Sequence, residues 1–301
     1  MWHDQRMTFR DDVDLSSSRA RRSGGGMKLA AGGGIGTIIV AVAFVLLGGD
    51  PAELDEVLNQ RQVGAQRDGS TGKTTLDHCR TGADANKYAD CRVSATAESL
   101  DAVWASRLPA QAGIEYSQPG LVIFDNSTQS GCGMASSATG PFYCPVDQTA
   151  YFDVSFFDQI VQLGGENAPL AQEYIVAHEF GHHLQNLEGT LGLSDYKNPG
   201  ADSNAVKIEL QADCYAGVWA HYADDGDEAF LEPITDEQIR DAVQTARAVG
   251  DDNIQKRSQG EVRPDAFTHG SSEQREQAFL AGYRSGSMSS CDTLNRGGYR
   301  K

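Results

Sequence analysis

Over residues 170–187 apolar side chains return every three or four positions, the period of a helix with one face against a core. A second such block covers residues 205–222, and two shorter ones cover 236–249 and 272–283. Ser271 and Gln274 stand three apart, as a capping box requires at the head of the last of these. Leu100, Val103, Trp104 and Leu108 repeat the same spacing and predict a helix over residues 99–108. Residues 121–124 and 151–154 read instead as short strands, separated by the Gly-rich, Cys-bearing segment 131–144. No internal repeat is evident. These elements predict an α+β fold, mainly helical with a small sheet, in a domain covering residues 95–301.

One apolar stretch stands apart. Residues 29–47 carry no charge, and that length can span a bilayer as one helix. Arg19, Arg21, Arg22 and Lys28 precede it, while Asp50, Glu53, Asp55 and Glu56 follow. The positive-inside rule then gives a cytoplasmic tail (1–28), a single transmembrane anchor (29–49) and everything later outside the plasma membrane. A cleaved signal peptide is the rival reading, but the tail is long and no A-x-A-like site follows the apolar run. Gly32 and Gly36 form a GxxxG pair that reads as a weak helix end. Residues 50–94, rich in Gly, Thr, Asp and Gln, read as a stalk. Gly72-Lys73-Thr74 within it lacks the earlier glycine of a phosphate-binding loop, since Arg67 stands there.

Charge narrows the partners. The chain of 301 residues has a net charge of -17, and the first 28 residues hold six bases and four acids. The remainder is therefore more acidic still, with 19 bases against 38 acids. Such a surface repels nucleic acid and anionic headgroups, which excludes nucleic acid as a partner. Six cysteines, an even number, fit disulfides in an oxidising compartment. They allow fifteen full pairings; closeness suggests Cys79 with Cys91 and Cys132 with Cys144, leaving Cys214 for Cys291. No C-x-x-C spacing points to a cysteine-based metal site.

The sharpest chemistry lies in His178-Glu179-Phe180-Gly181-His182. Four residues advance a helix by about 400°, so the two imidazoles project from one face and can share a metal. Zinc suits imidazole and, when catalytic, takes three protein ligands and leaves a position for water. Glu179 beside that face can take a proton from the water. Gly181 weakens the helix but admits a close neighbour. In the second helical block, 27 positions after His182, Glu209 and Asp213 share a face. Set among Ile208, Leu210, Ala212, Ala216, Val218 and Trp219, these carboxylates would be costly unless paired. Glu209 is the expected third ligand, and Asp213 is expected to orient a ligand histidine through its free N–H. His183 lies about 100° round the helix and is read as a surface or supporting group. His221 is read as structural or solvated, and His269, just before the last helix, as a candidate to stabilise an oxyanion.

The sequence resembles the family of bacterial membrane-anchored proteins known as putative neutral zinc metallopeptidases. The resemblance runs from about residue 97 to 294. It is carried by Ser130-Gly131-Cys132-Gly133, Gly140-Pro141-Phe142-Tyr143-Cys144-Pro145, His178-Glu179-Phe180-Gly181-His182-His183, the run from Glu209-Leu210-Gln211-Ala212-Asp213-Cys214 to Trp219, and Phe267-Thr268-His269-Gly270-Ser271-Ser272. It implies a zincin-like fold, zinc, and peptide-bond hydrolysis, with ligands at His178, His182 and Glu209. It also implies the disulfides from Cys132 and Cys214, whereas Cys79 and Cys91 fall outside it. In zincins an edge strand binds extended substrate, and residues 143–154 are expected to supply it. The expected activity is that of an endopeptidase on proteins or peptides outside the membrane. Its alternatives are a zinc-stabilised, partner-binding ectodomain without catalysis and a hydrolase of cell-wall peptide.

Overall fold

The computed structural model describes residues 7–24 and 72–300, and within them the fold is mixed α/β, about half helical. Strands β1 (Arg21–Gly24) and β2 (Gly72–Thr75) come first, then helices α1 (Gly82–Lys87) and α2 (Ala89–Ala112). Strand β3 (Gly120–Phe124) is followed by the hairpin β4 (Ser127–Ser130) and β5 (Gly133–Ser136), then by β6 (Phe142–Cys144) and β7 (Thr149–Asp153). The remainder is helical: α3 (Phe156–Leu163), α4 (Pro169–Glu188), α5 (Asn204–Tyr222), α6 (Asp236–Ala248), α7 (Asp251–Gln259) and α8 (Ser272–Ser285). The main sheet has the order β2-β1-β3-β7-β6. Its middle pairs, β1–β3 and β3–β7, are parallel, and its outer pairs antiparallel.

Local chemistry sets the helix ends. Pro169 opens α4, where its missing N–H costs nothing, and Gly189 closes it in the left-handed conformation at φ 70°. The Ser203 side chain accepts from Val206 N at the head of α5, and Ser271 with Gln274 forms the capping box expected on α8. Helix α5 is buried on nearly every side, against α4 on one flank and α8 on the other. Gly181 marks the α4–α5 crossing: a Cβ there would lie 2.8 Å from Ala212 Cα, so only glycine lets the two backbones approach.

Three expectations need revision. Residues 82–94, read as stalk, are helical and packed into the core, with Cys91 to Ala97 buried without a break. A helix enclosed on all sides and made of small residues shows no amphipathic stripe, so its periodicity is absent from the sequence. Residues 7–24, part of the expected cytoplasmic tail over 1–28, are also packed against the domain, with Phe9 and Leu15 buried in the same core. The strand expected over 143–154 is a pair of strands, and only Phe142–Cys144 lies at the sheet edge. The proposed anchor at 29–49 lies outside the described residues; among those described, no helix is long and apolar enough to cross a membrane.

Candidate metal centre

Helices α4 and α5 cross with His178 and His182 on one and Glu209 on the other, and the three gather into one buried group. His178 Nε2 lies 3.2 Å and His182 Nε2 3.7 Å from Glu209 Oε2. Ligand atoms about 2.0–2.2 Å from a tetrahedral zinc stand roughly 3.4 Å apart, so these separations suit that ion. The donor set, two neutral imidazoles and a carboxylate, is also one zinc accepts in catalytic sites. A second group that could hold a metal, His78, Cys79, Asp90 and Cys91, has both cysteines joined in a disulfide.

Each ligand is held from behind. His178 Nδ1 lies 2.8 Å from Asp213 Oδ1 and His182 Nδ1 lies 2.9 Å from Gln185 Oε1, so both rings turn Nε2 towards the shared point. Asp213, fully buried, receives Arg275 through two bonds: Nε to Oδ2 at 2.8 Å and Nη2 to Oδ1 at 2.9 Å. The Tyr174 hydroxyl also donates to Asp213 Oδ1, at 2.5 Å. Gln185 Nε2 in turn donates to Ile208 O on α5, at 2.7 Å. Tyr196, on the loop after α4, donates its hydroxyl to Glu209 Oε1 at 3.0 Å, leaving Oε2 to the site.

The electrostatics are those of a cation-seeking pocket. Burial opposes a charged His178, yet Asp213 and Glu209 push it up to about 10. Burial likewise works against a Glu209 carboxylate, but His182 and His269 hold it well below the usual range. The negative field that binds protons so firmly here would hold a divalent cation in their place. The proton affinity of Glu179, next to His178 on α4, is raised from its ordinary value by burial.

His269 sits on the loop ahead of α8, half-buried; burial lowers its proton affinity, and Glu209 and Asp251 together raise it above the ordinary value. The loop is clamped by Asp251, whose Oδ2 accepts from the backbone N–H of Thr268 and His269 at 2.7 Å and of Gly270 at 3.0 Å. His183 is buried rather than superficial: Nε2 lies 2.6 Å from Ser117 O and Nδ1 3.0 Å from the Tyr143 hydroxyl. His221 is exposed and donates to Tyr283 O at 2.7 Å. The disulfides are Cys79–Cys91, Cys132–Cys144 and Cys214–Cys291, the pairings that closeness suggested.

Sequence reasoning missed Tyr174, Gln185, Tyr196, Asp251 and Arg275. Tyr174 and Gln185 carried a usable signal, since positions 174, 178, 182 and 185 follow one helical face. Arg275 and Asp251 carried none, because only the tertiary fold brings α7 and α8 to this place.

Two helices thus bring His178, His182 and Glu209 to one point, where they could hold a metal ion. The chain belongs to the family described as "Putative neutral zinc metallopeptidase", which it matches over residues 1–294. It is 48% identical over 257 residues to the uncharacterized protein Rv2575 of Mycobacterium tuberculosis, covering 83% of this chain and 85% of that one. It is 34% identical over 291 residues to the uncharacterized protein YpfJ of Escherichia coli, covering 95% of each. No solved structure matches the chain.

Proposed function

We propose that this chain is a zinc-dependent endopeptidase acting on proteins or peptides outside the plasma membrane. His178, His182 and Glu209 would hold the ion. The convergence of His178 Nε2, His182 Nε2 and Glu209 Oε2, each braced from behind, carries the reading. Zinc at this point would polarise the scissile carbonyl and bring a water's pKa towards neutrality. Glu179 takes the proton of the attacking water and delivers it to the leaving amine. Its burial suits it to that work, because burial raises its proton affinity and makes it the stronger base. His269 donates to the oxyanion that forms on the carbonyl carbon's former double-bonded oxygen. Location outside the membrane is supported by the three disulfides, which persist in oxidising compartments. Attachment to a membrane is supported by the apolar stretch 29–47.

The test is Glu179→Gln in the full chain. The variant should keep one zinc per chain by elemental analysis and lose at least about 100-fold in cleavage of an unfolded protein substrate. Undiminished cleavage by the variant, or wild-type protein without bound zinc, would overturn the proposal.

A further inference from the structure

Asp251 does more than clamp the loop ahead of α8. It is fully buried at the start of α7, and while its Oδ2 holds three backbone amides, its Oδ1 is buried with no hydrogen-bond partner. That free oxygen lies 3.4 Å from His269 Nδ1, which also meets the Thr268 hydroxyl at 2.9 Å. A buried carboxylate oxygen left unpaired is costly, and a small rotation of the ring would satisfy it. We infer that Asp251 is the positioning residue of His269, fixing both the loop that carries the ring and the nitrogen that faces away from the site. With Nδ1–H directed at Asp251, Nε2 is left to face the reacting group, and it donates to an oxyanion when it carries the second proton of the imidazolium. The inference rests on the hydrolytic reading above, but part of its test does not.

Asp251→Asn keeps an oxygen for the three amides and removes the charge that faces Nδ1. In zinc-loaded full-length protein it should lower kcat about 10-fold or more with KM within about 2-fold. It should cost little further in a His269→Ala background, as expected when two residues act as one unit. Equal losses in both backgrounds would overturn the inference. The readout free of activity is 15N NMR of the ring: the His269 Nδ1–H signal should be protected from exchange in wild type and lost in Asp251→Asn. An unprotected Nδ1–H in wild type would overturn the inference even if hydrolysis is robust. Protection that Asp251→Asn abolishes, in an inactive protein, would sustain it and defeat only the hydrolytic reading.

A separate set of contacts concerns topology. Residues 7–24 are woven into the domain that carries the metal centre. Strand β1 is the second strand of the sheet, between β2 and β3, not an addition at its edge. Arg10 N donates to Phe230 O, Glu232 N to Thr8 O and Leu15 N to Arg80 O, at 2.8–3.0 Å. The Thr8 hydroxyl donates to buried Glu173 on α4, the helix of the HExxH motif. Gly82 is required by the passing segment, because a Cβ there would lie 1.9 Å from Arg10 O. Two of the three arginines that the positive-inside rule would count are engaged as well: Arg19 pairs with Asp101, and Arg22 with Asp125 at 2.9 Å and Asp90 at 3.2 Å.

Gly24 and Gly72 face each other in the β1–β2 register, so the 47 residues between them leave and rejoin the domain at one place. A chain that does so crosses a membrane an even number of times. Their one apolar stretch, residues 29–47, has the length of one helical crossing and half of what two would need. We propose that residues 7–24 share a compartment with the metal centre. This replaces the cytoplasmic tail expected from charge alone.

Epitopes placed before residue 1 and after residue 301 of the full chain decide the matter. In intact spheroplasts an added protease should remove both at the same rate, or spare both. Loss of the C-terminal epitope alone would overturn the proposal. The pair Ser23→Cys with Thr128→Cys, whose hydroxyls lie 3.2 Å apart, should also form a fourth disulfide in the cell envelope. Two free thiols there beside three intact native disulfides would count against it.

Discussion

At the scale of single residues the centre depends on groups that hold the ligands rather than on the ligands alone. Glu209 is buried and, holding an ion as proposed, would present one oxygen to it while the other is satisfied by Tyr196. Removing only its hydroxyl, in Tyr196→Phe, should weaken zinc binding about 10- to 100-fold while leaving unfolding unchanged in excess zinc. Competition with a chromogenic chelator measures it, and wild-type affinity in the variant would show that Tyr196 is a bystander. His178, His182 and Glu209 were legible in the sequence because spacing of four on a helix and carboxylates in an apolar run are local patterns. Arg275, which neutralises Asp213, lies 62 residues further along, and no local pattern points to it.

At the scale of elements the same distinction holds. Helices α4, α5, α6 and α8 were legible within one or two residues, since an apolar periodicity or a capping box marks each. The first half of α2 was not, because burial on every side erases the periodicity that a surface helix displays. The short edge strand β6 is placed by side chains rather than by length. The Tyr143 hydroxyl meets His183 Nδ1 at 3.0 Å and accepts from Asn186 Nδ2 at 3.1 Å, which docks β6 on α4. Its far end is tied by Cys132–Cys144 to the turn between β4 and β5. If β6 receives extended substrate by strand addition, loosening it should weaken binding more than chemistry. Cys132→Ser is therefore expected to raise KM several-fold with kcat nearly unchanged in steady-state peptide cleavage, and an unaltered KM would remove β6 from substrate binding.

At the scale of the whole molecule, the junction between the N-terminal segment and the metal-binding helix makes stability depend on pH. Glu173 on α4 is wholly buried beside Thr8, and burial pushes its carboxyl up to about 7 from an ordinary 4.5, against the pull of Thr8 and Arg92. Below pH 4.5 both folded and unfolded chains carry the proton, and Glu173 costs nothing. Between 4.5 and 7 the unfolded chain has lost a proton that the folded chain keeps, so stability falls as pH rises through that window and levels off above it. The loss from this one group is at most about 3 kcal/mol. Glu188, pushed to about 7 chiefly by burial, adds a loss of the same sign. Glu173→Gln resembles the protonated side chain and cannot ionise, so the variant should gain on wild type as pH rises from 5 to 7.5. Urea unfolding of both proteins at the two pH values isolates the effect, because every other titrating group, the metal ligands included, cancels in the difference. A gap between the two proteins that stays constant with pH would mean that Glu173 ionises freely, and that residues 7–24 do not seal it from water.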